Sequence, residues 1–100
     1  MKALPIILKT NSVGALEALR AMLATIGRAD VSVRLLLSEV GPIVVSDVDL
    51  ASAEGGMVLG FQVEVAERAR EMAHQRVVDI RLYDVIYLLY DDVLRALDRL

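Results

Sequence analysis

Four short apolar runs, at residues 4–8, 31–37, 57–61 and 78–82, are each followed by a segment with helical spacing. No other feature of the chain limits its fold as tightly. The first is continuous, the pattern of a strand covered on both faces, whereas polar residues interrupt the second and alternate with apolar ones in the fourth. Strands separated by helices lie parallel and are joined by right-handed crossovers. The expected class is therefore α/β, a three-layer α/β/α sandwich with a four-stranded parallel sheet. One hundred residues suit a single domain, residues 1–100. Strand order cannot be read from periodicity.

Local signals place the elements. Pro5 is tolerable because the first residues of a strand need not donate to the ladder. The segment 10–14 is a polar turn, and Leu16, Leu19, Leu23 and Ile26 recur at helical spacing until Gly27 stops them. Arg34 interrupts the second apolar run. Ser46 with Asp49 reads as a capping box with Asp in place of Glu, opening a helix over 46–53 that Gly55-Gly56 ends. A charged helix is expected over 64–75, with Val65, Ala69, Met72 and Ala73 inward and Glu64/Arg68 and Glu67/Arg70 as supporting pairs. A last helix is expected over 85–100.

The search for chemistry returns little. Ligands of open parallel sheets sit beyond the strand ends, here near residues 10–14 and 62–64. Neither G-x-G-x-x-G nor a phosphate-loop motif occurs, so Thr10, Asn11 and Ser12 are read as satisfying backbone groups in a turn. His74 is the only histidine, placed where a cation complements a helix C-terminus and without companions for a metal. Asp47 and Asp49 read as cap and dipole partners, not as an acid–base pair. Asp91 and Asp92 diverge at i, i+1 and read as a solvated face. No G-x-S-x-G elbow is present. The expectation is a non-catalytic chain with no catalytic, cofactor-binding or metal residues.

Bulk properties narrow the partners. Apolar residues make up 56% of the chain, yet no run reaches the ~18–20 residues of a spanning helix. No secretion signal is visible, and the chain has no cysteine, which suits a cytoplasmic location. Eleven Lys and Arg lie scattered among fourteen acids, for a net charge of −3. Strong nucleic-acid binding by this chain alone is not expected, nor is a membrane partner.

Several motifs resemble one family. They are Val40-Gly41, Ser46-Asp47-Val48, Leu50-Ala51-Ser52-Ala53, Gly60-Phe61-Gln62-Val63 and the run from Val78-Asp79-Ile80-Arg81-Leu82-Tyr83 to Val85-Ile86-Tyr87. In this order, over nearly the whole chain, they resemble the α/β domain (third domain, first C-terminal subdomain) of bacterial translation initiation factor 2. The resemblance implies strand order 2-1-3-4, with the first and last helices on one face and the second and third on the other. It also implies a spacer without an active site. Such a domain relays movement between a GTPase part and an initiator-tRNA-binding part, with the ribosome and neighbouring initiation-factor domains as partners.

The departures from that pattern share a character. Asn11 and Ala15 stand where the family has Asp and Ser, which should weaken the first helix cap. Val44 and Val45 replace polar residues, Val77 replaces a glycine, Ala21 and Ala24 replace charges, and Leu88 and Leu94 stand for Asp and Lys. On the last helix, Ile86, Leu89, Val93, Leu97 and Leu100 form the stripe expected to face the sheet. Tyr83, Tyr87, Tyr90 and Leu94 form a second stripe, and Leu88 lies outside both. Two readings follow. In one, the first and last helices pack on each other and consume this apolar surface. In the other, it is a protein-partner surface of Ala21, Met22, Tyr87, Leu88, Tyr90 and Leu94, rich in residues that interface cores favour. An engineered protein-binding domain built on this scaffold, with a single target protein, would show the same concentration of apolar changes.

Overall fold

A computed structural model describes residues 2–27 and 30–100. Strand β1 (Lys2–Thr10) runs through the middle of the molecule, followed by α1 (Val13–Ala24), β2 (Val31–Val40), α2 (Val45–Glu54), β3 (Met57–Phe61), α3 (Glu67–Arg76), β4 (Ile80–Tyr83) and α4 (Ile86–Asp98). The sheet is parallel with order β2-β1-β3-β4. The expected class, order and helix distribution are all observed.

Continuous apolarity in β1 has its cause in the two cores. Ile6 and Leu8 face one side, where α1 and α4 bring Leu19, Leu23, Leu89, Val93 and Leu97 to meet Leu59 and Phe61. Ile7 faces the other, against Ile43, Val48, Ala51, Val58, Ala69 and Ala73 from the α2/α3 side. Each large side chain so buried contributes roughly 1.5–3 kcal/mol. Where β1 meets β3, Gly56 is required by close approach. A Cβ there would lie 2.8 Å from the carbonyl oxygen of Pro5.

Several boundaries differ from the sequence reading, each for a local reason. Helix α1 ends at Ala24, ahead of Gly27, with Thr25 as C-cap and its hydroxyl donating to the Met22 carbonyl at 2.7 Å. Its N-cap survives, since Ser12 Oγ accepts from the Ala15 N–H at 3.2 Å. Helix α2 starts at Val45 with Val44 as N-cap, so the Ser46/Asp49 box does not form. Its counterpart is Asp47, whose carboxylate accepts from the Val44 N–H at 2.8 Å. The expected first turn of α3 is extended chain instead. Ile43 N–H donates to the Glu64 carbonyl and Ala66 N–H to the Ile43 carbonyl, which holds residues 63–66 beside the 41–44 loop. Glu64 and Val65 therefore precede the helix, and no Glu64/Arg68 helical pair can form.

Helix α3 closes on Val77, which adopts the left-handed conformation (φ 55°, ψ 46°) while 91% exposed. That region is unfavourable for a β-branched residue, and a glycine would adopt it without strain. Among the described residues no helix is long and apolar enough to cross a membrane.

Candidate interaction surface

The end of the sheet where α/β proteins usually hold ligands is bridged by the chain's own side chains. Thr10 is fully buried, and its hydroxyl donates to the Ser12 carbonyl at 2.8 Å. Across the gap between β1 and β3, Asn11 Nδ2 donates to Gln62 Oε1 at 3.0 Å, and Gln62 Nε2 donates on to the Asp84 carbonyl at 3.2 Å. Gln62 is held in place by a positive φ of 53° and by its N–H on the Tyr83 carbonyl. The three loops that would flank a nucleotide or acid substrate are thus linked to one another.

Beside them lies a group that the sequence does not announce. Lys9, near the end of an apolar strand, is 4% exposed. Its ammonium sits 2.9 Å from the buried carboxylate of Asp47 and 3.4 Å from Glu39. Asp47 therefore serves the cap of α2 and neutralises a buried cation with the same oxygen. Asp49 points away and pairs with Arg76 at the surface, so the two aspartates share no site. His74 is exposed on the last turn of α3, in an open depression with Arg70, Val78 and Asp79. Among the described residues no cluster of three or more His, Asp or Glu side chains has a metal-binding arrangement.

Helix α4 is where the structure revises the sequence most. Leu89, Val93 and Leu97 are buried as expected, but Ile86 and Leu100 are exposed. Tyr83 does not belong to a helical stripe. It sits on β4, and its hydroxyl donates to Asp92 Oδ2 at 2.7 Å. Burial, reinforced by this bond to a carboxylate, pushes its pKa up to about 12. Asp92 is thus tied inward, and Asp91 pairs with Arg95 at 2.6 Å, so the aspartate pair is not simply a solvated face.

Of the six residues expected at a partner surface, four converge. Met22 from α1 meets Tyr87, Tyr90 and Leu94 from α4, with Ile86 and Asp91, along an open groove of about 450 Å³. Tyr90 also packs against the core, whereas Tyr87 remains 69% exposed. Ala21 is exposed on α1 but does not line the groove. Leu88, 56% exposed, is off the core as its position outside both stripes implied, and it is also outside the groove. At 3.6 residues per turn it lies about 120° around the helix from Leu94. The groove itself could be anticipated from Tyr87, Tyr90 and Leu94 spaced at i, i+3, i+7. The contribution of Ile86 could not, because its spacing fits the buried stripe equally well.

Comparison with known proteins extends the motif resemblance. A family model of translation-initiation factor 2 matches residues 1–94. Translation initiation factor IF-2 of a Synechocystis strain is 42% identical over 100 residues, covering the whole of this chain and 10% of that protein. The Campylobacter jejuni factor of the same name is 45% identical over 94 residues, covering 93% of this chain and 11% of the relative. The chain therefore spans about a tenth of the length of these relatives. Among solved structures, GDP-bound aIF5B from Aeropyrum pernix superimposes with a TM-score of 0.84 at 30% identity, over 96% of this chain and 16% of that one. On this evidence the chain belongs to the translation-initiation factor 2 family.

Proposed function

We propose that this chain is a non-catalytic interaction and spacer domain of a translation initiation factor. In that role it relays movement between a GTPase part and an initiator-tRNA-binding part, in contact with the ribosome and with neighbouring domains of the factor in the cytoplasm. The observation that carries the reading is the contrast between the bridged sheet end and the open α1–α4 groove. Bonds of Asn11, Gln62 and the Asp84 carbonyl cross the usual ligand crevice and leave an open depression of about 310 Å³ beside Pro42 and Glu64, while the larger apolar groove of about 450 Å³ lies on the helices. A relay needs a rigid body with a face to push against, and no catalytic group.

The test is direct. The purified chain should neither bind GTP tightly nor hydrolyse it, and nucleotide turnover would overturn the reading. In a full-length factor, Leu94→Asp should impair ribosome-dependent steps while leaving nucleotide affinity unchanged.

The groove favours a second reading as well, a protein-binding domain engineered on this scaffold for one target. The two part on ribosome dependence. A relay module acts only within the factor, whereas a dedicated binder holds its target in a purified two-component mixture.

A further inference from the structure

Strand β2 is an edge strand ten residues long. Its inner side pairs with β1 from Val31 to Val40. Among the described residues its outer side carries only a single bridge, from Ser32 to Gly27. From Val33 onward its outward N–H and C=O groups form an open template of the kind proteins usually guard.

The register along β2 is irregular at one point. Ile6 is opposite Leu35 and Ile7 is opposite Leu37, so Leu36 is an extra residue. In an unbroken strand, positions 34 and 39 would point to opposite faces. The inserted residue restores parity. Arg34 reaches Glu54 of α2 at 3.3 Å and Glu39 reaches Lys9 at 3.4 Å, both on the α2/α3 face. Leu36 and Leu37 pack on that face too. Val33 and Val40 stand opposite Leu4 and Thr10, and Leu35 and Ser38 opposite Ile6 and Leu8, all on the α1/α4 face.

These placements make β2 complementary to itself. Two copies can lie antiparallel with the twofold axis between Leu36 and Leu37. Arg34 of each copy then opposes Glu39 of the other, Val33 opposes Val40, Leu35 opposes Ser38 and Leu36 opposes Leu37. Every opposed pair shares a face, and the two charged pairs are of opposite sign, the arrangement that stabilises cross-strand neighbours. A shift of two residues would put Arg34 against Leu37, so the charges select one register. The Arg34 and Glu39 side chains already pair with Glu54 and Lys9 but are 61% and 56% exposed, which leaves room for a partner's side chain to join each pair.

We propose that β2 is a self-complementary edge through which two copies of this chain associate, joining their sheets into one of eight strands. A bulge commonly turns an edge away from pairing. Here it aligns the two charges. Pairing along one strand buries less than the ~1,600 Å² of a standard stable interface, so association is weak.

Sedimentation of the 100-residue chain from micromolar to millimolar concentration provides the test. The expected result is a monomer–dimer equilibrium. Arg34→Glu and Glu39→Lys each place like charges opposite one another and should weaken association about tenfold. An equal mixture of the two variants recreates both opposite-sign pairs and should restore it. Should Glu39→Lys disturb the fold beside Lys9, Arg34→Glu at its exposed site still decides the matter once circular dichroism shows it folded. Leu94→Asp, in the α1–α4 groove, should leave the dimer intact. A wild-type chain monomeric at millimolar concentration, an undiminished Arg34→Glu dimer, or loss of the dimer in Leu94→Asp would each overturn the proposal.

Discussion

The two faces of the sheet are covered by helix pairs of similar length but closed by different means. On the α2/α3 face the helices meet through small side chains, Ala51, Ala69 and Ala73, and polar ties fasten them: Lys9 to Asp47 in the interior and Asp49 to Arg76 at the surface. On the α1/α4 face, leucines and tyrosines hold the helices further apart, and the groove remains between them. Small residues allow close approach, so that face has little apolar surface left over. Bulky residues fill the core on the other face and still leave a margin of Tyr87 and Leu94 in solvent. Surface for a partner is therefore a by-product of how a core is filled.

The contrast can be broken most severely at Asp47. Asp47→Ala leaves Lys9 buried with only the longer contact to Glu39, and should cost about 3–5 kcal/mol in denaturant unfolding. A Lys9→Met/Asp47→Leu double variant should recover much of that loss. If the single variant is neutral, the α2/α3 face does not depend on its polar tie.

At the end of α3 the expected change has the opposite sign. Val77→Gly removes the strain of a β-branched residue at φ 55° and should stabilise the fold by about 1 kcal/mol, net of the greater freedom glycine gives the unfolded chain. Thermal melting of the two proteins checks this, and a lower melting temperature for the glycine variant would contradict it.

On the opposite face, Tyr83→Phe should cost about 1 kcal/mol at neutral pH through loss of the bond to Asp92. The pH dependence sharpens the point. The folded-state pKa of Tyr83 lies near 12, above the ordinary value of 10.0. Its contribution is therefore fully present below pH 10 and is lost as pH rises toward 12. Stability measured across that window should fall less in Tyr83→Phe than in the wild type. The smallest effect is expected at Leu88. Leu88→Asp should change stability by no more than about 0.5 kcal/mol, because the side chain lies off both the core and the groove. A loss of several kcal/mol would mean that α4 is rotated from the orientation described.

What the sequence disclosed follows from where the signals are local. The runs at 4–8 and 57–61 identify β1 and β3 because those strands are buried on both faces, so no period need be resolved, whereas β2 and β4 are only partly buried and mix polar with apolar residues. The start of α3 was hidden because residues 63–66 bond to the 41–44 loop, some twenty positions earlier in the chain. Lys9 was silent for the same kind of reason. A lysine beside an apolar run looks exposed until the fold brings Asp47 to it across 38 positions. Tyr83 misled in the other direction, since its i, i+4 spacing to Tyr87 is a coincidence of a strand ending just before a helix. The groove was half legible, because stripe spacing locates Tyr87, Tyr90 and Leu94, but helix rotation alone decides that Leu88 is excluded.

The central position of β1 has a consequence for how the chain is made. Ribosomes deliver β1, α1 and β2 first, and β1 can pair with β2 along one edge as soon as residue 40 has emerged. Its other edge waits for β3, whose partners for Ile6 through Thr10 are residues 57–61. Until then that edge is unpaired, and Ile7 gains its cover from Ala69 and Ala73 only after α3 follows β3. Nascent chains paused between those two points would present the unpaired β1 edge, so slower translation through residues 41–61 is expected to lower the yield of folded protein.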